Sequence, residues 1–122
     1  MLKTSEILDE KDKRLRLVSE EVTFPLAKED KDLINKMIKY LHDSQIEKLA
    51  KKYDLRPGMG MAAIQLGVAK RYLTIVHEVG EEEFDTYVIC NPKIISNSEE
   101  KIYVDMGEGC LSVNRDVEGI VP

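Results

Sequence analysis

The chain has 122 residues, of which 43% are hydrophobic, 34% are charged and 6% are aromatic, with a formal net charge of −5. This length suits one domain with one core, and the composition excludes disordered and fibrous proteins. Scattered Lys and Arg residues argue against a specific nucleic-acid surface, and no apolar stretch is long enough for a signal peptide or a membrane span, so we expect a cytoplasmic protein with a single domain over residues 1–122.

The first predicted element is helical and covers about residues 30–53. Apolar side chains recur there at helical spacing, with Lys and Glu between them: Leu33, Ile34, Met37, Ile38, Leu41, Ile46, Leu49 and Tyr53. The pattern fits one long helix or two short ones. Arg56-Pro57-Gly58 ends it, because Pro lacks a backbone donor and disfavours helical geometry in the residue before it.

Strands are predicted after the helical region. Residues 72–76 form a β-branched run that indicates a buried strand. A second strand is predicted at 86–90, with a continuation after Asn91-Pro92 through Ile94-Ile95, and a third at 101–106. Short connections favour antiparallel neighbours, so the predicted fold is α+β, with an antiparallel β-sheet and an N-terminal helical region.

The segment 58–65, Gly-Met-Gly-Met-Ala-Ala-Ile-Gln, is poor in bulky side chains. Gly58, Gly60 and Ala63 fit the GxGxxG/A dinucleotide fingerprint, but that fingerprint requires a buried strand that delivers the glycines to a helix. A polar segment that closes a helix precedes the glycines here, which argues against nucleotide binding. From this segment alone, two interpretations of the small residues remain open. Either a ligand approaches the backbone closely, or the glycines form a tight turn and the alanines allow close packing.

The two cysteines have different surroundings. Cys90 follows Val-Ile, and we expect it to pack as a small hydrophobic residue. Cys110 lies in the segment 107–112, Gly-Glu-Gly-Cys-Leu-Ser, where small neighbours leave the thiol open for a metal or for nucleophilic attack. The cysteines are twenty residues apart and form no CxxC pair, so we expect no disulfide.

Together, the two motifs resemble those of the peptide deformylase family, whose signatures read GxGxAAxQ and EGCLS. Both occur here in that order. The resemblance extends from about Leu2 to Pro122 and includes Asn91-Pro92-Lys93-Ile94 and Ser112-Val113-Asn114-Arg115-Asp116. The helical insertion before the first motif is similar to that of the longer bacterial class. Ile64 replaces the proline that most members carry, whereas Gln65 is retained.

The resemblance implies a metal-dependent amidase that removes the formyl group from N-formylmethionyl peptides of nascent chains, with the ribosome surface as a further partner. Cys110 would be a ligand of Fe²⁺, or of Zn²⁺, Ni²⁺ or Co²⁺. The Gln65 amide and the Leu111 N–H would stabilise the oxyanion that forms when metal-activated water attacks. The peptide would lie as an extra strand. Three residues would line it: Met59, Gly60 and Gly109.

The family's third signature, a helix that bears HExxH, does not occur in the 122 residues. His42 and His77 are the two histidines, and we expect both to be ordinary surface or edge residues. One ligand of the usual three and no general base make an incomplete site, so we expect a truncated chain that is inactive alone and does not hold a metal tightly. The alternative is a non-catalytic peptide-binding module, but Gln65 and Cys110 favour the enzyme.

Overall fold

The computed structural model describes residues 1–100 and 109–113. Two α-helices and three β-strands carry the fold: α1 Lys28–Ser44, α2 Glu47–Tyr53, β1 Gly60–Ala62, β2 Tyr72–Gly80 and β3 Glu83–Cys90. The strands form one antiparallel sheet in the order β1-β2-β3. The predicted α+β class is therefore confirmed, while the strand predicted at 101–106 lies outside the described residues. Within the described ranges, no helix combines the length and the apolar character needed to cross a membrane.

The predicted helical region folds as two helices. Ile34, Met37 and Leu41 are spaced three or four residues apart, so they lie on one face of α1 and are buried. They belong to the same core cluster as residues of β2, which α1 covers. α2 ends at Tyr53, and the next residue, Asp54, has a left-handed backbone with φ 54°. The helical region therefore ends three residues before Arg56-Pro57-Gly58, the segment that the sequence predicts to end it.

The strands form a simple meander. Gly60 of β1 lies opposite Ile75 of β2, and Tyr72 at the start of β2 lies opposite Cys90 at the end of β3. Tyr72 and two alternate residues of β2, Thr74 and Val76, are buried, because side chains two apart in a strand point to the same face. That face meets α1, so the main core lies between the long helix and the middle strand.

The predicted continuation of β3 through Ile94-Ile95 is wrong. β3 ends at Cys90, and Asn91 adopts a left-handed backbone with φ 52°. The Asn91 side chain instead bonds the Val22 backbone, accepting from its N–H at 2.8 Å and donating to its carbonyl at 3.0 Å. Pro92 then removes a ladder donor. Ile94 and Ile95 are consequently outside the sheet, each 90% exposed.

A buried polar cluster ties the first turn of α1 to the start of β2. Asp30 is only 6% exposed, and both of its carboxylate oxygens accept hydrogen bonds from Lys70 Nζ, at 3.0 and 3.1 Å. The Tyr72 hydroxyl donates to the same carboxylate at 3.1 Å. Burial and this bond to Asp30 raise the pKa of Tyr72 above its ordinary value. The cluster therefore holds three polar groups that satisfy one another.

Candidate functional site

The two sequence motifs meet where Leu111 packs against Gly58. A Cβ atom added to Gly58 would lie 2.9 Å from both terminal methyl carbons of Leu111. Glycine is therefore what allows the Leu111 side chain, 8% exposed, to rest on the backbone of the first motif. This contact brings the segment of Cys110 against the glycine segment, although more than forty residues separate them.

The C-terminal end of α1 fixes the position of Gly58. The Gln45 side-chain amide donates to the carbonyl oxygens of Gly58 at 3.0 Å and of Val76 at 2.7 Å. The Ser44 hydroxyl, which is buried, accepts a hydrogen bond from the Gly58 N–H at 3.1 Å. Both polar groups of the Gly58 backbone are thus held by one helix end, which sets the glycine segment in place beside β2.

Gln65 projects from a short 3-10 helix, Ala63–Leu66, directly after β1. Its side-chain oxygen accepts from the Ala62 N–H at 3.0 Å, which fixes the orientation of the amide. The Nε2 atom consequently points at the second motif. It donates to the Ser112 hydroxyl at 3.0 Å and lies 3.9 Å from Cys110 Sγ. The fold therefore brings together Gln65 and Cys110, two residues that the sequence singled out.

Cys110 begins a four-residue turn, which closes when the Val113 N–H donates to the Cys110 carbonyl at 3.0 Å. A trans peptide holds its N–H and its C=O on opposite sides, so the Leu111 N–H points away from the interior of the turn. No acceptor for this N–H is found among the described residues. The Cys110 thiol is exposed. The turn thus presents a thiol and a backbone donor close to the Gln65 amide.

The carbonyl groups of this turn are all engaged. The Arg56 guanidinium donates to the Leu111 carbonyl at 2.8 Å and to the Val113 carbonyl at 3.1 Å. The Glu10 N–H donates to the Ser112 carbonyl at 2.7 Å. With the bond that closes the turn, every carbonyl from 110 to 113 has a partner, so the backbone here is held on several sides.

The three residues predicted to line a peptide are accessible. Met59 is 53% exposed, and its sulfur lies 3.3 Å from His77 Nδ1. A Cβ atom on Gly60 would meet nothing closer than the Thr74 carbonyl oxygen at 3.7 Å, and one on Gly109 would meet no described atom within 4 Å. Packing inside the described part of the chain therefore does not require glycine at position 60 or 109.

The two histidines have partners of their own. The His42 ring packs on Phe84 with 4.6 Å between ring centroids, and its Nδ1 lies 3.0 Å from an Asp43 oxygen. His77 lies within β2 rather than at a strand end and contacts Met59. Residues 1–100 and 109–113 contain no group of three or more His, Cys, Asp or Glu side chains able to hold a metal. A thiol at Cys110 alone does not make a metal centre.

Several residues that shape the site were not predicted as site residues. Arg56 was interpreted only as part of a helix end, and Ser112 only as part of a motif. Ser44 and Gln45 carried no prediction. For Ser44 and Gln45 the available signal was their polar character at the end of an amphipathic helix, and for Arg56 it was the adjacent Pro57-Gly58 pair. The partners lie far away in sequence, so local patterns could not supply them.

Comparisons with known proteins show what the whole chain is similar to. The family model described as Polypeptide deformylase matches residues 4–122. Peptide deformylase 2 of Bacillus cereus is 43% identical over 122 residues, which cover 100% of this chain and 66% of that protein. The peptide deformylase of Halalkalibacterium halodurans is 46% identical over 123 residues, covering 100% and 67%. A probable peptide deformylase from Synechococcus phage S-SSM7 matches in structure with a TM-score of 0.67 at 36% identity, covering 94% of this chain and 67% of that one. The chain thus spans about two thirds of the length of these relatives.

Proposed function

This chain belongs to the polypeptide deformylase family, and from that premise we propose that the protein hydrolyses the formamide bond of N-formylmethionyl peptides, releasing formate and a free amino terminus. One observation carries the proposal: the Gln65 amide lies 3.9 Å from the Cys110 thiol, across 45 positions of sequence. An amide donor beside a potential metal ligand suits acyl hydrolysis. The natural substrates would be nascent chains in the cytoplasm.

Gln65 and Leu111 are proposed as the oxyanion donors. The Gln65 Nε2 carries two hydrogens, and the Ser112 hydroxyl takes one of them at 3.0 Å. The second hydrogen, which faces the Cys110 thiol at 3.9 Å, and the outward Leu111 N–H would be donated to a substrate oxygen. Attack on a formyl carbon places negative charge on that oxygen, and donors already fixed in place stabilise the charge without reorganisation. The hydrogen bond from the Ala62 N–H, at 3.0 Å, holds the Gln65 amide in place, and the closed turn at Cys110 holds the Leu111 N–H.

Cys110 is proposed as one ligand of a divalent ion, Fe²⁺ in the first place and Zn²⁺, Ni²⁺ or Co²⁺ as alternatives. The exposed thiol beside Gln65 supports this assignment. Further ligands and the general base would come from the HExxH helix that the family carries, a motif that does not occur in the 122 residues. When bound, such an ion activates water. We accordingly propose that the 122 residues alone neither retain the ion tightly nor deformylate.

The substrate peptide is proposed to lie along β1. This strand pairs with β2 on one side and with no described strand on the other, so its outer edge offers backbone groups for strand addition. Gly60 at that edge is exposed, and a Cβ there would have room. Glycine in a strand costs stability, so its presence without a packing need suits close approach by another backbone. Gly109 and Met59 would complete the lining.

The open edge of β1 also supports a second candidate, a module that binds peptides without cleaving them. The complete gene product, expressed with iron and kept free of oxygen, should be mixed with a formyl-Met tripeptide and, as a control, with the acetyl-Met version. We expect formate release from the formyl peptide alone, loss of release after chelation, and recovery when Fe²⁺ returns. Peptide binding without formate release would favour the module. If the protein neither binds the peptides nor releases formate, both candidates are refuted.

A further inference from the structure

Arg56 connects the end of the helical region to the Cys110 turn. Its guanidinium donates through Nη1 to the Leu111 carbonyl at 2.8 Å and through Nη2 to the Val113 carbonyl at 3.1 Å. The guanidinium is a planar fork with donors in fixed directions, so two carbonyls bound at once are held in a fixed relation to each other. A lysine ammonium in this place would be a single point of contact and could not reproduce that relation.

The backbone that carries Arg56 is itself anchored. The Arg56 N–H donates to the Tyr40 hydroxyl at 3.3 Å, and Tyr40 is buried in α1. The preceding Leu55 is buried, and its N–H donates to the Ala50 carbonyl at 2.8 Å. Pro57 follows with a restricted φ. The guanidinium therefore extends from a base that the helices hold in place.

Among the described residues, both side-chain hydrogen bonds of Arg56 go to backbone carbonyls. No carboxylate lies within ion-pair distance of its guanidinium among the described residues. Loss of the side chain would leave the Leu111 and Val113 carbonyls without a partner in the described part of the chain. The external backbone bond that the described residues would still give the Cys110 turn runs from Glu10 to Ser112 at 2.7 Å, and the peptide planes on either side of Leu111 could rotate.

We propose that Arg56 is a positioning residue for deformylation: by holding the carbonyls of Leu111 and Val113, it sets the direction of the Leu111 N–H and of the Cys110 thiol. This inference rests on the proposed function and adds a residue to it. Arg56 does not touch the reacting atoms. Its contribution acts through the turn, so its loss should affect the transition state more than the binding of the peptide.

The test compares three variants of the complete, metal-loaded protein. Arg56→Met removes both donors, and Arg56→Lys keeps the charge but not the fork. Arg71→Met is the matched control, because Arg71 also bonds a backbone carbonyl, that of Pro92 at 2.5 Å, together with Glu21 at 3.2 Å, away from the Cys110 turn. The measurements are kcat per bound metal, KM, and amide hydrogen exchange of residues 110–113.

We expect Arg56→Met to lower kcat per bound metal about 10- to 100-fold, the usual cost of losing a group that orients a metal ligand. KM should stay within about threefold, Arg56→Lys should retain part of the rate, and the Val113 amide should exchange faster in both. If Arg56→Met does not fold, Arg56→Lys carries the same comparison with wild type.

Turnover of Arg56→Met within about threefold of wild type, or an equal loss in Arg71→Met, would overturn the inference. Unchanged exchange at residues 110–113 in the Arg56 variants would overturn it as well. A wild-type protein that releases no formate would refute the proposed function instead, and the exchange measurement would still decide whether Arg56 holds the turn.

Discussion

At the N-terminal end of α1, the Asp30 carboxylate is bonded by Lys70 at 3.0 Å and by Tyr72 at 3.1 Å, whereas at the C-terminal end Ser44 and Gln45 bond a glycine backbone. The first set of polar side chains is closed, since its members satisfy one another. The second set holds Gly58, and the residues that follow it, Met59 and Gly60, are exposed. The same helix therefore supports stability at one end and positions a candidate site at the other.

The difference shows what distinguishes a structural polar cluster from a functional one in this chain. Near Asp30, the carboxylate and the Tyr72 hydroxyl are buried and bonded to each other, and Lys70 completes the set. Near Gln65, hydrogen bonds to Ala62 and Ser112 fix the amide, at 3.0 Å each, while the neighbouring Cys110 thiol stays exposed. Fixed geometry combined with an accessible donor is what catalysis requires. Substitutions near the N-terminal end of α1 should accordingly affect stability, and substitutions near its C-terminal end should affect activity.

The largest difference in activity and metal content between two variants should come from substitutions of the two cysteines. Cys110→Ser should lose most bound metal and leave below about 1% of wild-type turnover in the complete protein, because a thiolate ligand is replaced by a weak one. Cys90→Ser should keep both, since Cys90 packs against the core. Metal per chain and formate release are the readouts, with circular dichroism as the folding check. Equal losses in both variants would remove the reason for singling out Cys110.

Asp30→Asn should destabilise the fold without changing the chemistry. Breaking a buried ion pair costs about 3–5 kcal/mol, but the Lys70 side chain is 38% exposed and can recover hydration, so we expect about 2 kcal/mol. Urea unfolding measures the loss, and Asp32→Asn on the exposed side of α1 is the matched control. A fall in kcat per folded molecule with unchanged stability would contradict the division between the two ends.

Substitutions of the two glycines beside the C-terminal end of α1, Gly58 and Gly60, should have different effects. Gly58→Ala should cost about 1–3 kcal/mol, because the new methyl group would press on Leu111 at 2.9 Å. Gly60→Ala should leave stability unchanged or raise it by up to about 1 kcal/mol, yet raise KM by blocking the peptide. Thermal unfolding and steady-state kinetics distinguish these outcomes. A normal KM in Gly60→Ala would argue against a peptide on β1.

The smallest effect concerns pH. Burial alone would raise the pKa of Asp43, but hydrogen bonds from His42 and Lys39 outweigh it and hold the pKa below its ordinary value of 3.8. A lowered folded pKa stabilises the protein above pH 3.8, and this contribution is lost as the pH falls through the folded pKa. Wild type should therefore lose more stability than Asp43→Asn as the pH falls from about 5 through the lowered pKa of Asp43. Parallel losses in acid unfolding would show that Asp43 is not responsible.

Local patterns predicted much of the framework. Apolar spacing predicted α1, the β-branched run predicted β2, and short connections predicted that β2 and β3 are antiparallel, whereas β1 was not predicted as a strand. The end of β3 was missed because Asn91 takes a left-handed backbone and turns its side chain to Val22, 69 positions away. The break between α1 and α2 has no Gly or Pro to announce it, so the sequence left one helix or two open.

The candidate site was predictable only as far as its motifs. Gln65 and Cys110 were singled out together through a family resemblance, and the fold places them side by side. The bonds from Gln45 to Val76 and from Arg56 to Leu111 span 31 and 55 positions. Such contacts depend on the packed arrangement of helices and strands rather than on any periodicity in the residues concerned. Positioning residues are therefore the part of a site that sequence patterns reveal least.

The central claim is that Gln65 meets the substrate oxygen and that Cys110 meets the metal. The most direct test is the turnover per bound metal ion of Gln65→Leu in the complete protein. Leucine keeps the approximate size but removes the donor, so kcat should fall about 10²- to 10³-fold while metal per chain stays close to wild type. Near-normal turnover per metal ion, or a loss of metal as large as the loss of rate, would contradict the claim.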